Sequence, residues 1–277
     1  PASGDAGGAI GAALSTWYEF LNNARFKRGK GHDDMHGSYL GPSYTNDEAI
    51  TLLGLDNKLY DIIPENELLP KVAKLISQDK VIGWHSGRME FGPRSLGGRS
   101  ILGDPRSKDA QTVINLKIKF RESFRPFAPS ILSEKVSEWF ECEKSSDYML
   151  IVANVKKDKL IQDALEVEGL DKINNIRSII PSVTHVDNSA RIQTVNKSTN
   201  PRYYKLIEEF EKITGVPILI NTSFNVRGEP IVNTPEDAYR CFMRTEMDYL
   251  VIGNLFFEKV KQPSLEDAEW MNIYELD

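Results

Sequence analysis

The sequence predicts an α/β domain with a twisted mixed sheet flanked by helices. Two observations support this fold class. Short apolar runs typical of buried strands alternate with longer segments whose apolar residues recur every three or four positions, as in amphipathic helices. Clusters of Gly, Pro, Asn and Ser separate the two kinds of segment, as expected of turns.

Start and stop signals place the elements of the first half. A helix is predicted over about residues 7–23, and another over 46–54 with Asn46 as its N-cap. Pro64 opens a third helix, which runs to Ser77 and has one apolar face. The other elements predicted here are strands at 81–84 and 100–102 and a helix at 107–118.

In the second half, Thr234 is the predicted N-cap of a helix that ends near Arg244, and Gly215 ends an amphipathic helix. Residues 156–189 have no clear periodicity and are interpreted as an insertion. The other predicted elements are a helix from Ser133 to Phe140, a helix at 201–214, and strands at 128–132, 148–155, 191–195, 216–221, 249–252 and 255–260.

Composition divides the chain into four parts. Residues 1–26 begin without Met inside a Gly/Ala-rich stretch, so we expect the end of a longer, helical region. Residues 27–46 are rich in Gly, Asp, Ser and Pro and predict a linker. Residues 47–262 form the predicted α/β domain, and the acidic residues 263–277 a peripheral tail.

The bulk composition excludes several classes of protein. A net charge of −6 argues against a general nucleic-acid binder. The chain has no run of 18 apolar residues, which a membrane-spanning helix would need, and no signal-like segment at its start. The expected location is therefore the cytoplasm. The two cysteines, Cys142 and Cys241, have no recognisable spacing and are interpreted as reduced thiols.

Positive charge is concentrated in one segment. Residues 85–126 carry nine basic and four acidic side chains, a net charge of +5 in an acidic protein. Within it, residues 87–99 combine three arginines with four glycines, which let backbone N–H groups approach an anion. Arginine forks match phosphate oxygens. The pattern favours a focused anion site, although solvated arginines on a turn-rich hairpin would give the same spacing.

Two further motifs bear polar groups suited to anions. Residues 119–127 interleave cations with aromatic side chains, and residues 218–230 run from an apolar strand into a turn of amides and hydroxyls. Each has a simpler interpretation, as a helix end with solvated charges and as an Asx-type turn respectively. Three such segments on one α/β chain make a shared anion pocket the favoured hypothesis.

These motifs carry a family resemblance. Residues 87–106 (GRMEFGPRSLGGRSILGDPR), 115–132 (NLKIKFRESFRPFAPSIL) and 217–242 (PILINTSFNVRGEPIVNTPEDAYRCF) resemble the C-terminal, YrdC-like domain of the O-carbamoyltransferases. The family includes enzymes that carbamoylate nodulation factors and aminoglycoside or cephem antibiotics. The resemblance covers about residues 40–260, and residues 1–14 resemble the last motif of the family's upstream Kae1-like domain.

The resemblance implies a transferase that makes carbamoyl adenylate from ATP and carbamoyl phosphate. The upstream Kae1-like domain then passes the carbamoyl group to a small-molecule hydroxyl acceptor. Carried over by motif, Lys119, Arg125 and Ser223 are the expected catalytic residues. The ATP- and carbamoyl phosphate-binding set is expected to be Arg88, Arg94, Lys119, Arg125, Arg191, Asn221, Ser223, Asn225 and Arg227.

The same resemblance implies Mg²⁺ with ATP, and a transition metal in the upstream domain with Asp5 among its ligands. No membrane or nucleic acid is expected as a partner, and a homodimer is possible. Two alternatives remain open from the sequence. One is threonylcarbamoyl-adenylate synthesis for tRNA modification, and the other is a nucleotide-binding module without turnover.

Overall fold

A nine-stranded mixed sheet organises the described part of the chain. The computed structural model describes residue 2 and residues 4–26, 34–161 and 175–263. Its strands are β1 (Asp61–Ile62), β2 (Ile82–His85), β3 (Arg99–Gly103), β4 (Ala128–Leu132), β5 (Ile151–Asn154), β6 (Ser189–Val195), β7 (Ile218–Ser223), β8 (Tyr249–Ile252) and β9 (Leu255–Glu258). Its α-helices are α1 (Asp5–Ser15), α2 (Asn46–Leu53), α3 (Glu65–Ile76), α4 (Ala110–Lys117), α5 (Val136–Trp139), α6 (Pro201–Thr214) and α7 (Pro235–Met243).

The strand order is β1-β9-β8-β2-β3-β7-β4-β6-β5. The pairs β2/β8 and β4/β6 are parallel, and the other neighbours are antiparallel. The predicted α/β class with a mixed sheet is therefore confirmed. The central strand β3 and its neighbours β2 and β7 consist largely of buried residues, as expected for strands covered on both faces.

One face of the sheet is covered by α3 and α6, which pack against each other. Both helices were predicted from a one-sided apolar pattern, and both bury that side. The buried residues are Leu68, Leu69, Val72, Ala73 and Ile76 on α3, and Tyr203, Leu206, Ile207 and Phe210 on α6. Gly215 ends α6 in the left-handed conformation, as predicted.

The helix caps confirm one prediction and correct another. Thr234 caps α7 through a reciprocal capping box with Asp237. For α2 the prediction was wrong, because the cap is Thr45, whose hydroxyl accepts from Glu48 N. Asn46 is the first helical residue, and its Oδ1 accepts from Asn254 N 2.9 Å away in the β8–β9 turn.

Three other segments differ from prediction. The first helix ends its α-helical part at Ser15 and continues as a π-helix over Thr16–Phe20. The strand expected at 148–155 begins only at Ile151, because Met149 has a φ of 55°. Ser133 caps no helix: its hydroxyl donates to Glu134 at the start of a short 3₁₀ turn before α5.

The segment predicted as an insertion is described at 156–161 and 175–189. Ile180 and Val183 from it are fully buried in the main core, so these residues are part of the domain's packing. Residues 1, 3, 27–33, 162–174 and 264–277, which include the start of the predicted linker and nearly all of the predicted tail, lie outside the described residues. No helix of the described chain is long and apolar enough to span a membrane.

A glycine in the loop before β3 generates the first prediction. Gly97 has a φ of 104°, and a Cβ there would collide with the Tyr203 ring of α6. Gly97→Ala therefore adds backbone strain and overpacking, and should lower the free energy of unfolding by about 3 kcal/mol. Urea denaturation of the variant and the wild type measures this difference in the free energy of unfolding.

The matched control is Gly87→Ala. Gly87 also has a positive φ, 64°, but open space around its Cβ position. Its cost should therefore be the strain alone, about 1 kcal/mol. Equal losses in the two variants would contradict the close approach to Tyr203.

Candidate functional site

The candidate site lies at one edge of the sheet, where four strands begin or end. Strand β7 runs antiparallel to β3 and β4, so its last residues lie beside their first ones. Strand β6 is parallel to β4, so its start reaches the same edge. The loops before β3 and β4 also meet there, which brings together all three motifs found in the sequence.

A pocket of about 500 Å³ opens at this edge, within the usual size range of small-molecule sites. Its polar lining comprises Arg94, Ser95, Arg121, Arg125, His185, Arg191, Asn221, Thr222 and Ser223. Four of these are arginines, and no described residue that lines the pocket is acidic. The pocket therefore suits an anionic ligand.

Arg94 is presented by a loop that is held from inside by a buried carboxylate. Oε1 of Glu90 accepts from the backbone N–H groups of Leu96 (2.6 Å), Gly98 (2.7 Å) and Arg99 (3.3 Å). Glu90 is 6 % exposed, and charge-assisted bonds of this kind are strong. The carboxylate thus replaces regular secondary structure in fixing the loop.

The same loop is tied to the rest of the domain through the Leu96 carbonyl. It accepts from Tyr39 Oη and from Gln193 Nε2, both at 2.7 Å. Gln193 lies on β6, two residues after Arg191. The Arg94 loop and the Arg191 strand therefore keep a fixed relation across the pocket.

A buried asparagine shapes the loop between α4 and β4. Asn115, fully buried at the end of α4, donates to the carbonyls of Ser123 (3.0 Å) and Arg125 (2.7 Å). Its Oδ1 accepts from Arg121 Nε at 2.7 Å. The Arg121 guanidinium also lies over the Phe127 ring. Asn115 thereby orients both arginines of this wall.

Lys119 does not lie in the pocket lining, where a residue that contacts the bound anion directly is expected. It is 4 % exposed and is not among the lining residues. Its Nζ donates to Asn225 Oδ1 (2.6 Å), the Asn225 carbonyl (2.9 Å), Ser223 Oγ (3.0 Å) and the Ser223 carbonyl. The ammonium is therefore positioned to brace the turn after β7, which in turn presents Ser223 to the pocket.

Charge within the pocket is unbalanced. Burial, and next the Arg94 charge, lowers the pKa of Arg191. Burial, and next the Arg125 charge, lowers the pKa of Arg121 to about 10. Burial also lowers the pKa of His185, which leaves its imidazole neutral at pH 7. Guanidinium groups that repel one another create a potential that a bound anion relieves.

The structure brings together five of the predicted binding residues: Arg94, Arg125, Arg191, Asn221 and Ser223 all line the pocket. The other four, Arg88, Lys119, Asn225 and Arg227, do not. Arg88 is exposed and donates to the Leu40 carbonyl. The side chain of Asp5 lies outside the described residues.

Sequence reasoning did not single out several residues that line or shape the site, among them Arg121, His185 and Asn115. Arg121 was inside a recognised motif, but nothing distinguished it from its charged neighbours. His185 falls in the segment without periodicity. Asn115 alone left a signal, as an uncharged polar residue next to Ile114 on the apolar side of a predicted helix.

The described residues contain no group of three or more His, Cys, Asp or Glu side chains that could hold a metal ion. The pocket's donor set, of guanidinium, amide and hydroxyl groups, fits an anion rather than a metal cation.

Comparisons with known proteins agree on one family. Residues 73–259, more than half of the chain, match the family model described as carbamoyltransferase C-terminus. The chain is 56 % identical over 283 residues to a Synechocystis protein described as uncharacterized, covering 100 % of this chain and 46 % of that relative. It is 40 % identical over 271 residues to nodulation protein NolO of Bradyrhizobium diazoefficiens, covering 96 % and 45 % respectively.

A more distant relative is named as a carbamoyltransferase. The chain is 27 % identical over 260 residues to the 3′-hydroxymethylcephem-O-carbamoyltransferase of Streptomyces clavuligerus, covering 94 % of this chain and 43 % of that protein. The chain thus spans less than half the length of these curated relatives. Among solved structures, full-length HypF in its phosphate- and nucleotide-bound form matches 68 % of this chain and 20 % of its own, with a TM-score of 0.42 and 16 % identity.

The Glu90 contacts generate the second prediction. Glu90→Ala leaves three buried backbone N–H groups without their acceptor, which should lower the free energy of unfolding by about 3 kcal/mol or more. Glu90→Gln keeps one acceptor oxygen and should lose less, about 1 kcal/mol. Glu67→Ala, at an exposed position of α3, should change stability by less than about 0.5 kcal/mol in the same urea titrations.

Lys119 generates a prediction about pH. Burial lowers its pKa to about 7, from the ordinary lysine value of 10.5. Between these values the unfolded chain binds more protons than the folded one, so stability rises with pH. Relative to Lys119→Met, wild-type stability should therefore increase by about 2 kcal/mol from pH 7 to pH 9.

Urea titrations of both proteins at pH 7, 8 and 9 measure this difference. A difference that does not change with pH would mean that the oxygen atoms around Nζ keep the ammonium charged throughout. The same titrations on the Lys197→Met variant, whose lysine is exposed, correct for effects of pH on exposed amines.

Proposed function

The chain belongs to the carbamoyltransferase C-terminus family, and from this premise we propose that its pocket makes carbamoyl adenylate from ATP and carbamoyl phosphate. The observation that carries the proposal is the convergence of four arginines, without an acidic residue, in one pocket of the described chain. Both substrates are rich in phosphate oxygens, and transfer at phosphorus depends mainly on positioning and charge stabilisation.

The chemistry balances with one water. Carbamoyl phosphate and water give carbamate and phosphate, with cleavage of the bond between phosphorus and the bridging oxygen. A carbamate oxygen then attacks the α-phosphorus of ATP, and pyrophosphate leaves. Each carbamoyl adenylate therefore accounts for one phosphate and one pyrophosphate.

Each pocket residue would have a role in this reaction that follows from its position. Arg94 and Arg191, which both line the pocket, would hold the transferred phosphate oxygens, and the Arg94 charge adds to burial in lowering the pKa of Arg191. Arg125 and Arg121, oriented by Asn115, would neutralise charge on the opposite wall. Ser223 would face the adenylate while Lys119 fixes its turn. Magnesium would arrive with the nucleotide.

Transfer to an acceptor is proposed as a later stage. The cephem relative carries O-carbamoyltransferase in its name, and its length is more than twice that of the matched region. We expect the hydroxyl acceptor to bind mainly in a part of the protein represented by the remainder of such relatives. The pocket at the sheet edge would then prepare the activated carbamoyl group.

The test is a measurement of pyrophosphate and phosphate release by the 277-residue chain with ATP, Mg²⁺ and carbamoyl phosphate. Equal amounts of the two products, absent when either substrate is omitted, are expected. Release that requires threonine and bicarbonate instead would favour threonylcarbamoyl-adenylate synthesis. Stabilisation by ATP in a thermal melt, with no product under any condition, would favour a binding module and contradict catalysis.

A variant pair tests the pocket itself. Arg191→Gln removes one of the converging charges and should lower the rate of pyrophosphate release at least tenfold, about 1.4 kcal/mol of transition-state stabilisation. Arg240→Gln, on the exposed side of α7, removes the same charge outside the pocket and should leave the rate within about twofold. Equal effects of the two substitutions would sink the assignment of this pocket.

A further inference from the structure

Two buried polar atoms on residues of the pocket wall, Asn221 Oδ1 and Arg191 Nε, have no hydrogen-bond partner among the described residues, and Asn221 Oδ1 is the acceptor of the two. Asn221, at the end of β7, is 1 % exposed and lines the pocket. Its Nδ2 donates to the Ser95 carbonyl (3.0 Å) and to Gln193 Oε1 (2.8 Å). Its Oδ1 is buried and accepts no hydrogen bond from the described residues. Buried acceptors are rarely left in this state, and such an exception calls for a ligand or another specific cause.

The surrounding bonds fix which way this amide faces. Gln193 must direct its Nε2 towards the Leu96 carbonyl, because a carbonyl can only accept. Its Oε1 is thereby turned towards Ser130 Oγ and Asn221, and Ser130 Oγ donates to it at 2.5 Å. A reversed Asn221 amide would place oxygen against two oxygens, those of Ser95 and Gln193. Asn221 therefore keeps an acceptor, and not a donor, available.

We propose that Asn221 Oδ1 accepts an N–H bond from the amide of carbamoyl phosphate and so selects carbamoyl over other acyl phosphates. This inference rests on the proposed function and adds its specificity-determining residue. The arginines hold phosphate oxygens, which every acyl phosphate has, so they cannot make the distinction. A carbamoyl group differs from an acetyl group in offering NH₂ where the other has CH₃.

A site that hydrogen-bonds one group discriminates strongly against an analogue that lacks the group, because the buried partner stays unpaired. Acetyl phosphate is such an analogue, with the same shape and phosphate. Isothermal titration calorimetry of the 277-residue chain should show carbamoyl phosphate binding at least tenfold more tightly. Asn221→Leu, which keeps the volume but not the acceptor, should reduce that ratio to within about twofold of unity, through weaker carbamoyl phosphate binding.

The matched control is Ser130→Ala. It removes one bond of the same buried network but leaves Asn221 Oδ1 in place. A purely structural role for Asn221 predicts that both variants lower the melting temperature and that neither changes the ratio of affinities. The proposal predicts that Ser130→Ala keeps the wild-type ratio while Asn221→Leu loses it.

Each other outcome is decisive. A wild-type chain that binds both acyl phosphates equally overturns the inference without any variant, so it can fail even if Asn221→Leu does not fold. A ratio that persists in Asn221→Leu overturns it as well. These results leave the proposed function intact when pyrophosphate is still released. Carbamoyl phosphate that neither binds nor supports release contradicts the proposed function itself, and the inference with it.

Discussion

The peptide unit of Leu96 is the constraint on which the site depends. Its N–H donates to the buried carboxylate of Glu90, and its carbonyl accepts from Tyr39 and from Gln193. Tyr39 and Gln193 come from distant parts of the chain and Glu90 from the same loop, so side-chain contacts instead of a strand ladder hold this arginine-bearing loop. Because all of them are buried or half-buried, losing any one leaves a polar group without water to replace it.

Because the loop is held in this way, the pocket arginines stay close together despite their like charges. Arginines brought together on flexible loops would move apart, since burial and next the neighbouring charge of Arg94 lower the pKa of Arg191, and burial and next that of Arg125 lower the pKa of Arg121. Glu90 prevents this by fixing the backbone of the Arg94 loop, and Asn115 prevents it by holding the Arg125 carbonyl and the guanidinium of Arg121. The repulsion is therefore retained in the folded state, where an anionic ligand can relieve it. Such preorganised charge is what phosphoryl chemistry requires.

The sequence predicted what local patterns encode. Amphipathic periodicity located α3 and α6, and family motifs indicated most of the arginines that converge in the pocket. It could not predict what depends on pairing between distant residues. Thr45 caps α2 through its capping box with Glu48, whereas the contact of Asn46 with Asn254, more than 200 residues away, leaves no local signal. Likewise, no local pattern shows that Glu90 faces inward or that Gln193 reaches the Leu96 carbonyl.

The sequence motifs suggest ligand binding for both Lys119 and Asn221, but their hydrogen bonds in the structure indicate a different role for each. The Lys119 ammonium already contacts oxygens of the turn after β7, so binding a ligand directly would cost it those contacts. Asn221 Oδ1 has no such contact to lose, and neither has Nε of Arg191 among the described residues. A ligand gains most binding free energy from polar groups that folding has already removed from water and that still lack a hydrogen-bond partner. Recognition in this pocket is therefore expected at Asn221 and Arg191, whereas Lys119 contributes by holding the turn that carries Ser223.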